Sequence, residues 1–256
     1  MKLGIVGKGG VGKTTVAALF ARAYRDRGAR VLAIDTDSNP NLGVSLGLDL
    51  AETEAVPTLP RALVVGRGGA DTTVQSLIGS YGRSTPSGVT LLTAMRVDQA
   101  GAGCTCGAHA TVRSLLGEAI DEQADVTVID MEAGLEHLSR SGGTLAYADV
   151  LLVVMEPSRK SVITAARTAT LAEELGIPRV YGLGNKARSV EDLDFLRGAS
   201  AEQGLALAGI LPYTPEVVEA DRAGEGVATA PPAALRQEID RVMELLDLAV
   251  VEGVPG

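Results

Sequence analysis

The residues best suited to chemistry lie near the N-terminus, where positions 7–15 read Gly-Lys-Gly-Gly-Val-Gly-Lys-Thr-Thr. This run fits the phosphate-loop pattern G-x-x-x-x-G-K-[ST], whose last three fixed positions are Gly12, Lys13 and Thr14. Glycines let such a loop turn its backbone N–H groups inward around a phosphate. Lys13 would then face the β- and γ-phosphates of a nucleotide, and the Thr14 hydroxyl would bind Mg²⁺. We expect phosphate contacts from Gly9, Gly10, Val11, Gly12, Lys13, Thr14 and Thr15.

The segments on either side of this run are those that a phosphate loop needs. Residues 2–6 form a short apolar strand, and residues 15–27 carry apolar side chains at helical spacing. The loop would therefore lie at the N-terminus of a helix, where anions are favoured.

Further along the chain, apolar strands alternate with amphipathic helices. This order predicts an α/β fold with a mostly parallel, twisted sheet of about seven to eight strands and helices on both faces. The predicted strands are 2–6, 30–35, 89–94, 125–131, 149–155, 179–184 and 207–211. The predicted helices are 15–27, 72–79, 110–123, 160–175, 190–203 and 232–249.

Length and composition predict a single domain over residues 1–256, because α/β folds reach this size without splitting. Within it, 51–88 is expected to be an irregular surface excursion, and 232–256 a C-terminal helix and tail. The net charge of −9, the absence of Trp and the 3% of aromatic residues disfavour a nucleic-acid partner. No apolar run is long enough to suggest a membrane partner or a signal peptide, so we expect a cytoplasmic protein.

Acidic residues follow two of the predicted strands. Asp35 closes the second strand and Asp37 follows it, whereas Asp130 closes the fourth. Because the carboxyl ends of parallel strands meet at one edge of a sheet, these carboxylates are expected beside the phosphate loop. There an Asp can hold Mg²⁺ through water, and Gly134 would permit movement when the γ-phosphate is lost.

Lys8 adds a second lysine inside the phosphate loop. With it the loop resembles the deviant Walker A loop of the ParA/MinD/nitrogenase-iron-protein group, within the SIMIBI class of P-loop NTPases. The resemblance implies an ATPase that cycles between ATP and ADP, and a homodimer in which Lys8 reaches the partner's nucleotide. It also implies that Asp37 orients the attacking water, that Asp35 supports the Mg²⁺ shell and that Asp130 is the Walker B residue. The positions resembling those that bind adenine are Asn185, Lys186, Leu211, Pro212 and Tyr213.

The chain has two cysteines, Cys104 and Cys106, in a loop of small residues. A disulfide at this spacing would be strained, and cytoplasmic thiols are kept reduced, so binding of a soft metal is the better explanation. Two thiolates fill half of a four-coordinate shell, and two such loops on the twofold axis of a dimer would complete it. Such a site would accept Ni²⁺ or Zn²⁺.

A narrower resemblance is to the CooC family, the maturation ATPases of nickel carbon monoxide dehydrogenase. It lies in Gly-Ala-Gly-Cys-Thr-Cys at 101–106, in Asp-Met-Glu-Ala-Gly-Leu-Glu-His-Leu at 130–138, and in Pro-Tyr at 212–213. It implies nickel bound between subunits and delivered to an apo carbon monoxide dehydrogenase as client. After the cysteines the family often has Pro, where this chain has Gly107-Ala108-His109.

Several alternatives stay open from the sequence. His109 is either a surface residue or an extra metal ligand, and His137 either hydrogen-bonds in the switch segment or binds metal transiently. An iron-protein-like reductase would need a cysteine after Asp130 for its [4Fe–4S] cluster, and this chain has none. A ParA- or MinD-like positioning ATPase would need a basic face or a membrane-seeking tail, and a metabolic phosphotransferase would need a small-molecule acceptor.

Overall fold

The computed structural model describes residues 1–60, 73–97, 111–112, 123–131 and 147–252, with side chains as far as Asp247. Eight strands form one sheet in the order β3-β4-β2-β5-β1-β6-β7-β8, and β3 alone runs antiparallel to its neighbour. The strands are β1 Lys2–Gly7, β2 Val31–Asp35, β3 Arg83–Ser84, β4 Thr90–Thr93, β5 Val126–Asp130, β6 Val150–Met155, β7 Val180–Ala187 and β8 Leu207–Pro212. The predicted α/β fold with a mostly parallel sheet is confirmed.

Apart from the helical residues Thr111 and Val112, the described residues form eight helices. They are α1 Lys13–Asp26, α2 Leu42–Ser45, α3 Leu50–Glu54, α4 Val74–Tyr81, α5 Arg159–Glu174, α6 Val190–Glu202, α7 Pro215–Ala223 and α8 Ala233–Glu252. The helix predicted over 110–123 lies outside the described residues except for Thr111 and Val112, which are helical. None of the helices in the described ranges combines the length and the apolar character needed to cross a bilayer.

Apolar side chains pack on both faces of the sheet, because successive residues of a strand point to opposite sides. On one face, Leu3 and Leu152 belong to a buried cluster with α1 and α8. On the other face, Val6 and Leu151 belong to a second cluster with α4, α5 and α6. The central strands are therefore buried on both sides, and their carboxyl ends open at one edge of the sheet.

The observed strands begin and end within one residue of the predicted bounds, except that β7 extends three residues further, to Ala187. The extension exists because Ala187 still pairs with Pro212 of β8 after an irregularity in register. Four short elements, β3, α2, α3 and α7, were not predicted from the sequence. In the described part of 51–88, Val56 and Leu59 are buried, as are Val74 and Leu77 of α4.

Candidate nucleotide-binding site

The loop between β1 and α1 has a backbone that glycine alone adopts without strain. Gly7, Gly10 and Gly12 have φ values of 149°, 82° and 95°. A Cβ on Gly7 would lie 2.4 Å from the Val154 carbonyl oxygen, and one on Gly12 would lie 2.6 Å from Asn185 Nδ2. Gly12 caps α1 in the left-handed conformation, so the first free N–H groups of α1 face the loop. This is the geometry of an anion site at a helix N-terminus.

The two loop lysines occupy different environments. Lys13 is buried, with 8% of its surface exposed, and its Nζ lies 3.4 Å from the Lys8 carbonyl oxygen across the loop. Lys8 is exposed. Lys13 therefore serves the loop of its own chain, whereas the Lys8 side chain is open to a second molecule.

The predicted carboxylates lie where β2 and β5 end side by side. Asp35 and Asp130 are register partners, and both are 1% exposed. Both oxygens of Asp35 accept backbone hydrogen bonds, one from Asp37 N at 3.0 Å and one from Leu42 N at 2.9 Å. Burial, the largest cause, raises the pKa of the Asp35 carboxyl despite these two bonds.

Asp130 has the least satisfied side chain of the site. The Thr14 hydroxyl donates to its carboxylate, but Oδ1 is buried and has no hydrogen-bond partner among the described residues. Burial and the nearby Asp35 carboxylate raise the pKa of Asp130 well above its usual range. Two buried carboxylates and a hydroxyl are the oxygen ligands that Mg²⁺ prefers, and a cation would neutralise both charges. Thr14, Asp35 and Asp130 thus fit a magnesium ion.

Asp37 lies half-buried at the start of the segment that leads from β2 to α2. Its Oδ1 accepts a hydrogen bond from Asn39 N at 2.9 Å, and Ser38 Oγ lies 3.5 Å away. These contacts fix the position of the Asp37 carboxylate within the segment that follows β2.

An apolar pocket opens beside the loop, at the carboxyl ends of β7 and β8. It encloses about 440 Å³ of empty space, including its open mouth. Tyr213 forms part of the wall, and its ring lies 4.9 Å from the Arg188 guanidinium carbon. Such a pocket suits a flat, weakly polar base. Its apolar lining comprises Val16, Leu19, Leu211, Pro212, Tyr213, Val217, Val218 and Leu235.

Asn185 and Lys186 connect this pocket to the phosphate loop. Asn185 is buried, and its Nδ2 donates to the Val11 carbonyl at 2.8 Å. Lys186 Nζ donates to the Gly10 carbonyl at 2.6 Å. The predicted phosphate-binding and base-binding residues therefore form one continuous site.

Other predicted residues lie outside the described ranges. They are the metal ligands Cys104 and Cys106, the histidines His109 and His137, and Gly134. Within the ranges that are described, no group of three or more His, Cys, Asp or Glu side chains is arranged to hold a metal ion.

Thr36, a residue not predicted from the sequence, joins the two carboxylate-bearing strands, β2 and β5. Its backbone N and its hydroxyl both donate to the Asp130 carbonyl, at 3.0 Å and 2.9 Å. Its position directly after Asp35, at the end of a predicted strand, was the available signal.

The proteins that this chain resembles also bind nucleotides, as the geometry of the site predicts. The chain is an ATPase with a phosphate loop, the class that its fold and its buried Lys13, Asp35 and Asp130 define. Residues 5–227 match the model of the CobQ/CobB/MinD/ParA nucleotide binding domain. The chain therefore belongs to this nucleotide-binding family, and the relatives described next place it with the CooC-type ATPases.

Two relatives resemble the chain over most of its length. The carbon monoxide dehydrogenase accessory protein CooC of Rhodospirillum rubrum is 35% identical over 88% of each chain. An uncharacterized ATP-binding protein of Methanocaldococcus jannaschii is 35% identical over 96% of this chain and 97% of its own. Among solved structures, the septum site-determining protein MinD of Pyrococcus horikoshii, complexed with Mg-ADP, has a TM-score of 0.74. It is 21% identical and covers 99% of this chain and 98% of its own, which shows a shared fold.

Proposed function

We propose that this chain is an ATP-hydrolysing nickel insertion factor that matures a nickel-containing carbon monoxide dehydrogenase in the cytoplasm. The observation that carries the proposal is the likeness to the Rhodospirillum accessory protein, at 35% identity over 88% of both chains. The paired Cys104 and Cys106 supply a chemical reason, because they are soft ligands for a transition metal. The partners are a second copy of the chain and an apo carbon monoxide dehydrogenase, with no part for nucleic acid or membrane.

The nucleotide end of the mechanism rests on the described residues. Thr14, Asp35 and Asp130 would hold Mg²⁺, which supplies positive charge to the β- and γ-phosphates when bound. Lys13 adds a buried positive charge to the transferred phosphoryl group. Asp37 would orient the attacking water, the role that the resemblance implies for it.

The dimer rests on Lys8. This side chain is exposed on a loop whose other lysine is buried, so it is available to the nucleotide of a partner. ATP at two facing sites would draw the subunits together, and hydrolysis would release the switch segments 35–42 and 130–140.

Nickel is the cargo. Two thiolates from each subunit give four, and closure of the dimer would change the distance between the opposing pairs. Nucleotide state and metal affinity would then be coupled, and the coupling must act equally in both directions.

The test is the metal stoichiometry of the reduced protein. We expect one tightly bound Ni²⁺ per dimer, with thiolate-to-metal charge-transfer absorption in the titration. Cys104→Ser and Cys106→Ser should each remove it, because either change deletes two of four ligands. Binding should weaken at low pH, since the metal displaces protons from thiols whose ordinary pKa is about 8.5. His109→Ala and His137→Ala, measured in the same titration, show whether either imidazole contributes.

One metal per monomer, or binding that survives loss of both cysteines, would contradict the proposed site. ATP-dependent capture by DNA or by liposomes would then favour a positioning ATPase. Zn²⁺ bound in preference to Ni²⁺ in the presence of the client would overturn nickel as the cargo.

The dimer has a separate test. Lys8→Ala should bind nucleotide as a monomer but fail to dimerise with a non-hydrolysable ATP analogue in analytical ultracentrifugation. Lys160→Ala, which changes an exposed lysine on α5, is the control. A Lys8→Ala protein that dimerised normally would refute the role of Lys8 across the interface.

A further inference from the structure

The end of β7 departs from regular strand geometry where it meets the phosphate loop. Gly184 pairs with Ile210 and Ala187 pairs with Pro212, so two residues of β7 lie opposite one residue of β8. The two unmatched residues, Asn185 and Lys186, form a β-bulge. Bulges of this kind change the direction in which side chains point and are common beside active sites.

Lys186 carries the conformational cost of this bulge. Its φ of 61° lies in the left-handed region. In the described part of the chain, every other residue with a positive φ is a glycine. A lysine in this conformation is strained, because its Cβ crowds the backbone. Such strain persists where neighbouring contacts hold it and is concentrated at functional sites.

The left-handed conformation of Lys186 directs the side chains of Asn185 and Lys186 to the same loop. In a regular strand, Asn185 and Lys186 would point to opposite faces of the sheet. Here Asn185 Nδ2 donates to the carbonyl of Val11, and Lys186 Nζ donates to the carbonyl of Gly10. The bulge thereby holds two consecutive carbonyl groups of the phosphate loop.

A phosphate loop binds its ligand only when its N–H groups point inward, which requires its carbonyl groups to point outward. The geometry points to Lys186 as a positioning residue: we propose that its ammonium group holds the Gly10 carbonyl outward and so keeps the loop ready for phosphate. This role differs from base recognition, which the resemblance implies for position 186. The inference rests on ATP binding and is independent of nickel.

Base recognition and loop positioning predict different binding patterns. A residue that reads the base changes the ratio of ADP to GDP affinity. A residue that positions the loop weakens both nucleotides by the same factor, and weakens inorganic tripolyphosphate as well. It also orders the loop before any ligand is present.

The experiment uses Lys186→Met, which keeps an unbranched side chain as far as the ε position but removes the donating ammonium group. We expect the dissociation constants of ADP, GDP and tripolyphosphate, measured by calorimetry, each to rise about tenfold, the size expected for one charge-assisted hydrogen bond. Amide hydrogens of residues 7–12 should exchange faster in the nucleotide-free variant. Lys186→Arg, which restores a donor, should recover most of the affinity, and Lys160→Met is the matched control.

Lys186→Gly separates strain from positioning. Glycine adopts a φ of 61° freely, so this variant should unfold at a higher temperature than Lys186→Met while binding ADP equally weakly. Unchanged ADP affinity in Lys186→Met would overturn the inference, and so would a changed ADP-to-GDP ratio. Failure of Lys186→Arg to recover affinity would also contradict it. None of these results depends on the cysteines, so the nickel proposal stands or falls separately.

Discussion

The phosphate end and the base end of the nucleotide site differ in the chemistry of their side chains. At the phosphate end, Lys13 at the start of α1 and Asp35 and Asp130 at the ends of β2 and β5 are almost completely buried. At the base end, apolar side chains from β8, α7 and α8 surround an open pocket, and Tyr213 is 36% exposed. Charge is concentrated at one end and apolar surface at the other.

Because of this difference, we expect substitutions at the phosphate end to change kcat and substitutions at the base end to change KM. A buried charge acts in a low dielectric, so the loss of one group has a large effect on a charged transition state. Apolar contact with a base is the same before and during the reaction, so its loss raises KM and leaves kcat unchanged.

The largest effect is expected at Lys13. Lys13→Ala should lower kcat on the order of a thousandfold, because it removes a buried positive charge from the transferred phosphoryl group. Phosphate release from ATP measures this, with Lys160→Ala as the exposed-lysine control. A kcat within tenfold of the parental value would remove the contrast between the two ends.

Asp37→Asn should lower kcat about a hundredfold and leave the ADP dissociation constant within about twofold. Asparagine keeps an oxygen that can accept from Asn39 N, so the local backbone is preserved while the charge is lost. Single-turnover hydrolysis and calorimetry give the two values. Hydrolysis at the parental rate would show that another residue orients the water.

A fall in pH should weaken binding at the phosphate end of the site but not at the base end. Burial raises the pKa of Asp35 to about 6, so below that pH protons compete with Mg²⁺ for the carboxylate. Mg²⁺-dependent ATP affinity should therefore fall between pH 7 and pH 5, whereas ADP binding in EDTA should change little. Equal losses with and without Mg²⁺ would contradict this assignment.

The same raised pKa determines how the nucleotide-free protein responds to pH. The folded carboxyl takes up its proton at a higher pH than the unfolded one, whose pKa is about 3.9. The stability it contributes is therefore fully present below that value and is lost as pH rises through about 6. Urea unfolding at pH 5 and pH 7 measures the change, with Asp35→Asn as the variant that should abolish this part of it.

The smallest effect is expected at Tyr213. Tyr213→Ala should raise the KM for ATP by about three- to tenfold, because it removes an aromatic wall of the base pocket, and should leave kcat within about twofold. Tyr147→Ala, at another exposed tyrosine, is the control. A large fall in kcat would mean that the base end takes part in forming the catalytic geometry.

The sequence predicted those parts of the molecule in which a local pattern determines the structure. Strands β1, β2, β5 and β6 were predictable because runs of apolar, often β-branched residues fit a strand buried on both faces. The placement of Asp35 and Asp130 followed, because both residues end such strands. The phosphate loop was predictable because few residue types fit its backbone.

Other features depend on tertiary contacts that leave no local pattern. Helix α7 is only nine residues long and begins at Pro215, a residue that is common both in turns and at the first position of a helix. The left-handed conformation of Lys186 is unexpected for a lysine and follows from pairing with β8. That Oδ1 of Asp130 has no hydrogen-bond partner among the described residues is visible only when its neighbours are in place.

The first strand in the spatial order of the sheet has a consequence for how copies of the chain can associate. Strand β3 contains two residues, Arg83 and Ser84, both exposed, and it runs against the direction of its neighbour. A longer strand in that place would present a row of unpaired N–H and C=O groups to which another molecule could add. A strand of two residues that carries an arginine offers few such groups, so strand addition at β3 is disfavoured.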